Sequence, residues 1–260
     1  MSTALFLSPH YDDVALSCGG TVADLFERGT QVVIVTIFGG EVVDDVLGDF
    51  ARLKHSRWGL TDMDAVLERR QAEDAAASAT LGARTRWLGF PDAIYRGDRY
   101  SADAELYGPV KPVERALARH ISEEIQSLPE WRLDSVVYVP LAAGEHVDHQ
   151  LVFMTGQVLA SSGVPVLAYE DCPYAIHSPQ GLDRRLTELA GSLGPAELVP
   201  ISATLDRRLD AIAAYATQVP VVFRFSEDFR GSVRAFANRL NGAQGPVERF
   251  WPVLPLSPPP

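Results

Sequence analysis

Residues 31–38 read Gln-Val-Val-Ile-Val-Thr-Ile-Phe. From Val32 to Ile37 the β-branched residues run without a break, and no polar side alternates with the apolar one. Such a run fits a strand covered on both faces, which is the environment of a parallel sheet. Parallel neighbours need a crossover, usually a helix. The preceding residues supply one. Leu5–Leu7 is a short apolar strand. From Asp13 to Arg28, Val14, Leu16, Val22, Leu25 and Phe26 fall on one helical face, and Gly29 stops the helix. The chain therefore opens with a βαβ unit.

The alternation continues. Helices are predicted over Arg69–Leu81, Val113–Leu128, His149–Ala160 and Leu205–Thr217, and strands over Arg86–Phe90, Asp134–Pro140 and Pro165–Tyr169. This order predicts an α/β fold: a Rossmann-like, doubly wound, mostly parallel sheet in a three-layer α/β/α arrangement. The 260 residues show no internal shift in composition, so one domain is expected over 1–240 with a Pro-rich extension over 241–260. Two segments stand apart. Residues 39–67 read as a long mixed loop, a candidate lid or substrate segment, and residues 251–260 hold too much proline for regular structure.

The net charge of −11 and the lack of a basic stripe argue against nucleic acid or an anionic membrane as partner. Cys18 and Cys172 are the only cysteines, so no disulfide framework organises the chain. There is no secretory pattern at the start and no apolar run of membrane length. A cytoplasmic enzyme acting on a small molecule is expected, with a homo-oligomer left open.

Two polar clusters break the pattern. Ser-Pro-His10-Tyr-Asp12-Asp13 follows the first strand, and Gly144-Glu-His146-Val-Asp148-His149 follows the Asp134–Pro140 strand. Ligands of open α/β sheets bind at the carboxyl ends of strands, near the point where strand order reverses. Both clusters belong at that edge, on neighbouring strands. Two adjacent aspartates repel each other and need a positive partner. Histidines and a carboxylate converging there suit a divalent metal, whose charge would also acidify a water. One carboxylate can then ligate while its neighbour acts as base.

The stretch SPHYDDVALSCGGTVADLFERG resembles the signature of the LmbE-like, or PIG-L, family of zinc-dependent N-deacetylases. Glu145–His149, Arg70–Gly82 with Glu73, Leu88–Asp92, Tyr169-Glu170 with Pro173-Tyr174, and Ala211-Ile212 with Tyr215–Gln218 fit further family motifs in the right order. The resemblance implies that His10, Asp13 and His149 bind Zn2+, with Fe2+ as an alternative. It implies Asp12 as the base that deprotonates the zinc-bound water. It makes His146 the group that stabilises the oxyanion or protonates the leaving amine, with Asp148 orienting and charging it. Arg70, Asp92 and Tyr174 are the implied substrate contacts. The reaction implied is removal of an N-acetyl group from an amino sugar or glycosylated metabolite; a larger acyl or thiol-conjugate amide is the alternative. Tyr11, Val14 and Val147 depart from the family pattern, and Gly144 stands where some relatives carry a tyrosine.

Plainer readings suffice elsewhere. His55 and His120 read as structural, and His177 as a pocket neighbour. Gly19-Gly20 reads as a close-packing contact, since its spacing is not that of a nucleotide loop. A non-haem iron oxygenase shares the two-His-one-carboxylate set, but its chemistry usually sits in a β-barrel.

Overall fold

The computed structural model describes residues 2–40, 47–58, 63–240 and 244–256. Its elements run β1 (Thr3–Ser8), α1 (Asp13–Glu27), β2 (Gln31–Thr36), α2 (Asp49–Trp58), α3 (Met63–Leu81), β3 (Arg84–Trp87), α4 (Asp103–Leu106) and α5 (Leu117–Gln126). There follow β4 (Val136–Pro140), α6 (Val147–Ser161), β5 (Val166–Tyr169), α7 (Tyr174–His177), α8 (Pro179–Glu188), β6 (Glu197–Pro200), α9 (Leu205–Ala214), α10 (Val219–Val222), α11 (Phe229–Asn238) and β7 (Val247–Pro252). Short 3₁₀ turns lie at Ala93–Tyr95 and Pro112–Glu114.

The seven strands form one sheet in the order β3-β2-β1-β4-β5-β7-β6. β3 through β5 are parallel, with Leu5 opposite both Val33 and Val137. β1 and β4 are adjacent, so the order reverses between the two strands that carry the polar clusters. Helices cover both faces, giving the expected three layers. One apolar cluster packs Leu5, Leu7, Val33, Val35 and Val137 with α5 and α6 residues such as Ile121 and Leu151. The other packs Phe6, Ile34 and Tyr138 with Val14, Val22 and Ala77 from α1 and α3. Every residue of β1 is buried, as a two-faced strand requires.

Four expectations need correction. The segment 39–67 is not one loop: it contains α2 and the start of α3, while 41–46 and 59–62 lie outside the described residues. The helix expected over Val113–Leu128 is interrupted, because Glu114 turns inward to Arg96 and Tyr100. The strand expected over Arg86–Phe90 is set earlier, at Arg84–Trp87. Trp251 and Pro252, expected outside regular structure, close β7. That strand lies beyond residue 240 and is nonetheless an inner strand, antiparallel to β5 and β6. Pro252 is its last residue, where a missing N–H costs the ladder least.

β7 also holds the helix that carries the first polar cluster. α1 departs from helical geometry at Cys18, with φ −143°. The Glu248 carboxylate accepts from the N–H groups of Gly20 at 2.9 Å and Thr21 at 2.7 Å, and pairs with Arg208 at 3.1 Å. A Cβ on Gly20 would stand 2.9 Å from Ile201 Cβ, so only glycine admits this approach. Among the described residues, no helix is long and apolar enough to cross a membrane.

Candidate active site

His10 and Asp12 sit in the turn between β1 and α1, and Asp13 opens α1. His146 caps α6, and Asp148 and His149 occupy its first turn. The loop between β4 and α6 reaches this position through two left-handed residues, Ala142 at φ 64° and Glu145 at φ 60°. Such backbone costs about 1–2 kcal/mol per non-glycine residue and clusters at functional sites.

Asp13 Oδ2 lies 3.3 Å from His10 Nδ1 and 3.3 Å from His149 Nε2. A tetrahedral ion with bonds of about 2.0–2.1 Å spaces its ligands by about 3.3 Å. The other nitrogen of each ring faces a carboxylate. His10 Nε2 is 3.1 Å from Asp148 Oδ2, and His149 Nδ1 is 2.6 Å from Asp171 Oδ1. Carboxylates in this place fix the tautomer and raise the basicity of metal-binding histidines. His149 Nε2 is buried without a hydrogen-bond partner. A nitrogen held toward a carboxylate and left without a hydrogen bond fits a cation between them.

A second grouping, His10 with His146 and Asp148, also brings ligand atoms together. It is the poorer site. Asp148 Oδ2 accepts from Ala93 N–H at 3.0 Å, its Oδ1 pairs with Arg96 Nη1 at 2.7 Å, and His146 Nδ1 accepts from Asp148 N–H at 3.2 Å. The Asp148 carboxylate is thus already neutralised by an arginine, and His146 Nδ1 is already taken by a backbone N–H. The donor set His10, Asp13 and His149 therefore fits a divalent ion best.

The charges agree. Burial alone would raise Asp13, but His149 and His10 hold it well below the usual carboxylate range. Against the effect of burial, Asp13 and Asp171 push the His149 imidazole up to about 9. The pocket thus attracts positive charge. Asp12 behaves oppositely to its neighbour: burial lifts its carboxyl, and Arg70, with Nη2 at 3.5 Å, only partly offsets this.

A cavity of about 1180 Å³ opens over these groups. His10, Asp12, Asp13, Arg70, Asp92, His146 and Tyr174 all line it. His149 and Asp148 are buried beneath. Asp92 Oδ2 is 3.5 Å from His10 Nε2, and its Oδ1 accepts from Ile94 N–H at 3.1 Å. The Tyr174 ring packs on Gly144, where a Cβ would come within 2.4 Å of it. A tyrosine cannot stand at 144 while Tyr174 occupies that place.

One expected pairing is absent. The Asp148 carboxylate turns to His10, Ala93 and Arg96, and what His146 receives from Asp148 is its backbone N–H. Burial, then the nearby His10, hold the His146 imidazole well below its ordinary range, so the ring stays neutral with its proton on Nε2. The sequence reading also missed Asp171 and Arg96. Asp171 follows β5 at the carboxyl edge, and the positional rule that singled out His10 would have found it. Arg96 carries no such signal.

A mostly parallel sheet whose switch point gathers His, Asp and His under a deep cavity defines the class: a three-layer α/β/α protein with a cation-type site at the switch point. The chain belongs to the PIG-L family, described as GlcNAc-PI de-N-acetylase, which it matches over residues 5–160. This is a metal-dependent family of N-deacetylases. A 2'-N-acetylparomamine deacetylase of Streptomyces fradiae is 32% identical over 82% of this chain and 72% of its own length. One from Niallia circulans is 34% identical over 65% of this chain and 66% of its own length. The crystal structure of the deacetylase of the A40926 pseudoaglycone superposes with a TM-score of 0.78 at 29% identity, over 98% of both chains.

Proposed function

We propose that this chain removes the N-acetyl group from an amino sugar carried in a larger glycoside, with Zn2+ bound by His10, Asp13 and His149. The observation that carries this reading is the convergence of His10 Nδ1 and His149 Nε2 on Asp13 Oδ2, with Asp12 beside them under the cavity. One carboxylate and two imidazoles suit zinc and also ferrous iron. A divalent ion there supplies a Lewis acid for the amide carbonyl and lowers the pKa of water.

The remaining work falls to side chains. Asp12 takes the proton of the attacking water; burial raises its proton affinity, and Arg70 keeps it oriented. His146, neutral and held by the Asp148 N–H on Nδ1, offers Nε2–H to the developing oxyanion. Asp12 then returns its proton to the departing amine. Arg70 and Asp92 flank the floor and present a donor and an acceptor for sugar hydroxyls.

The size of the cavity and its wall support a glycoside over a free monosaccharide. The volume exceeds the usual upper range of about 1,000 Å³ for small-ligand pockets. Aromatic rings line one side in sequence from the floor: His146 to Tyr107 at 5.4 Å, Tyr107 to Tyr174 at 6.3 Å, Tyr174 to His177 at 6.0 Å and His177 to Phe225 at 5.4 Å. The names of the relatives, acetylparomamine and pseudoaglycone deacetylases, point the same way.

Acetate release from N-acetyl amino sugars and their glycosides tests the reading. Asp12→Asn should keep its metal and lose about 10²–10⁴-fold in turnover. Wild-type turnover in that variant would remove Asp12 as the base, and no acetate from any substrate in the wild type would overturn the function.

A further inference from the structure

We propose that Arg96 is a positioning residue for the metal site: it locks the Asp148 carboxylate onto the back of His10 and so fixes where His10 presents Nδ1. This rests on the reading of His10, Asp13 and His149 as metal ligands.

Two carboxylates converge on one nitrogen. Asp148 Oδ2 is 3.1 Å and Asp92 Oδ2 3.5 Å from His10 Nε2. A single N–H can serve only one of them well, and the two acids repel each other. Arg96 decides the contest. Its Nη1 lies 2.7 Å from Asp148 Oδ1, and the Ala93 N–H holds Asp148 Oδ2. Asp148 is thereby the fixed partner, and Asp92 remains on the cavity floor.

Arg96 is itself immobilised. It is 6% exposed and ends the 3₁₀ turn that Asp92 begins. Nη1 donates to Pro91 O at 3.0 Å, while Nε and Nη2 grip the two oxygens of Glu114 at 3.0 and 3.3 Å. Glu114 in turn accepts from Tyr100 Oη at 2.7 Å. Only the planar fork of arginine reaches two carboxylates and a carbonyl at once.

Among the described residues, no arginine or lysine pairs with the carboxylate behind the other ligand histidine. Behind His149, Asp171 Oδ2 accepts from Ala143 N–H at 3.1 Å. The difference has a cause. His149 is fixed by the first turn of α6, whereas His10 sits in a connecting turn and takes its orientation from side chains. Among the described residues, Asp171 also has no second acid competing for His149 Nδ1, unlike Asp148 at His10 Nε2.

The test is the Zn2+ affinity of the stripped full chain, measured by competition with a chromogenic chelator. Arg96→Met should weaken binding about 10–100-fold, the usual cost of losing such support. Arg96→Lys should keep the charge, lose the fork, and fall in between. Glu114→Gln frees Arg96 in part and should weaken binding less than Arg96→Met does. Arg86→Met breaks a different arginine–glutamate pair, with Glu130, outside the cavity lining, and should stay within about twofold of wild type. If Arg96→Met fails to fold, Arg96→Lys against Arg86→Met decides. Wild-type affinity in a folded Arg96 variant overturns the proposal, as does an equal loss in Arg86→Met. A wild-type chain that takes up no divalent ion overturns the site reading, and this inference falls with it.

Discussion

The parallel half of the sheet and its antiparallel edge divide the labour. β1 through β4 and their helices supply His10, Asp12, Asp13, His146 and His149, the groups proposed to act on the amide. The chain after β4 and α6 supplies support and shape. Asp171 holds His149, Glu248 closes the break in α1, and Tyr174, His177 and Phe225 line the cavity. The family match ends at residue 160, at the same division. On the proposed function, the reacting groups come early in the chain, and the later residues join Arg70, Asp92 and Tyr107 around the cavity.

Asp74 marks the seam and gives the largest expected effect. It is buried on α3, accepts from Trp87 Nε1 at 2.7 Å and meets Tyr215 Oη of the later region at 2.8 Å. Burial raises its carboxyl to about 6. The unfolded value is about 3.9, so the folded chain binds this proton more tightly. Stability from this group is present below about pH 4 and is lost as pH rises through about 6. The loss is of the order of 3 kcal/mol. Asp74→Asn cannot ionise, so its stability relative to wild type should grow by that amount between pH 4 and 7 in urea unfolding. A constant difference across that window would show that Asp74 does not titrate there.

Asp171→Asn probes support across the same division. Asparagine keeps an oxygen for one partner but cannot hold both His149 Nδ1 and Ala143 N–H as a carboxylate does. Zinc affinity should fall about 10–100-fold, while secondary structure by circular dichroism stays unchanged. Unchanged affinity would mean that the early half of the chain needs no help from the later one.

The division also governs what could be read from sequence. β2 was legible because Val32–Ile37 is apolar on both faces, and the two polar clusters stood out against such strands. β6 was not, because Glu197 and Leu198 are exposed and the strand exists only through its pairing with β7. β7 was hidden by its charges. Glu248 and Arg249 look unlike core residues until Gly20, Thr21, Arg208 and Glu170 come into contact with them. The proposed ligand residues announce themselves in local motifs. Asp171 and Arg96 act through partners 22 and 52 positions away in the chain, at His149 and Asp148, and only folding brings those together.

Phe225 tests whether the later region reads the substrate. It ends the ring series at the cavity mouth and is 43% exposed, with Tyr107 across the same wall at 38%. An exposed aromatic beside the apolar Pro220, Val221 and Val222 offers a face on which a glycoside's non-reacting portion can pack. Such a contact is worth about 1 kcal/mol, or roughly fivefold. Phe225→Ala should therefore lower kcat/KM severalfold for an aryl glycoside of N-acetylglucosamine, and much less for the free sugar, which reaches only the floor. Because the contact lies far from Asp12 and His146, the loss should appear in KM and leave kcat nearly constant. An equal loss on both substrates would place Phe225 in the structural framework and remove the distinction between the half that reacts and the half that selects.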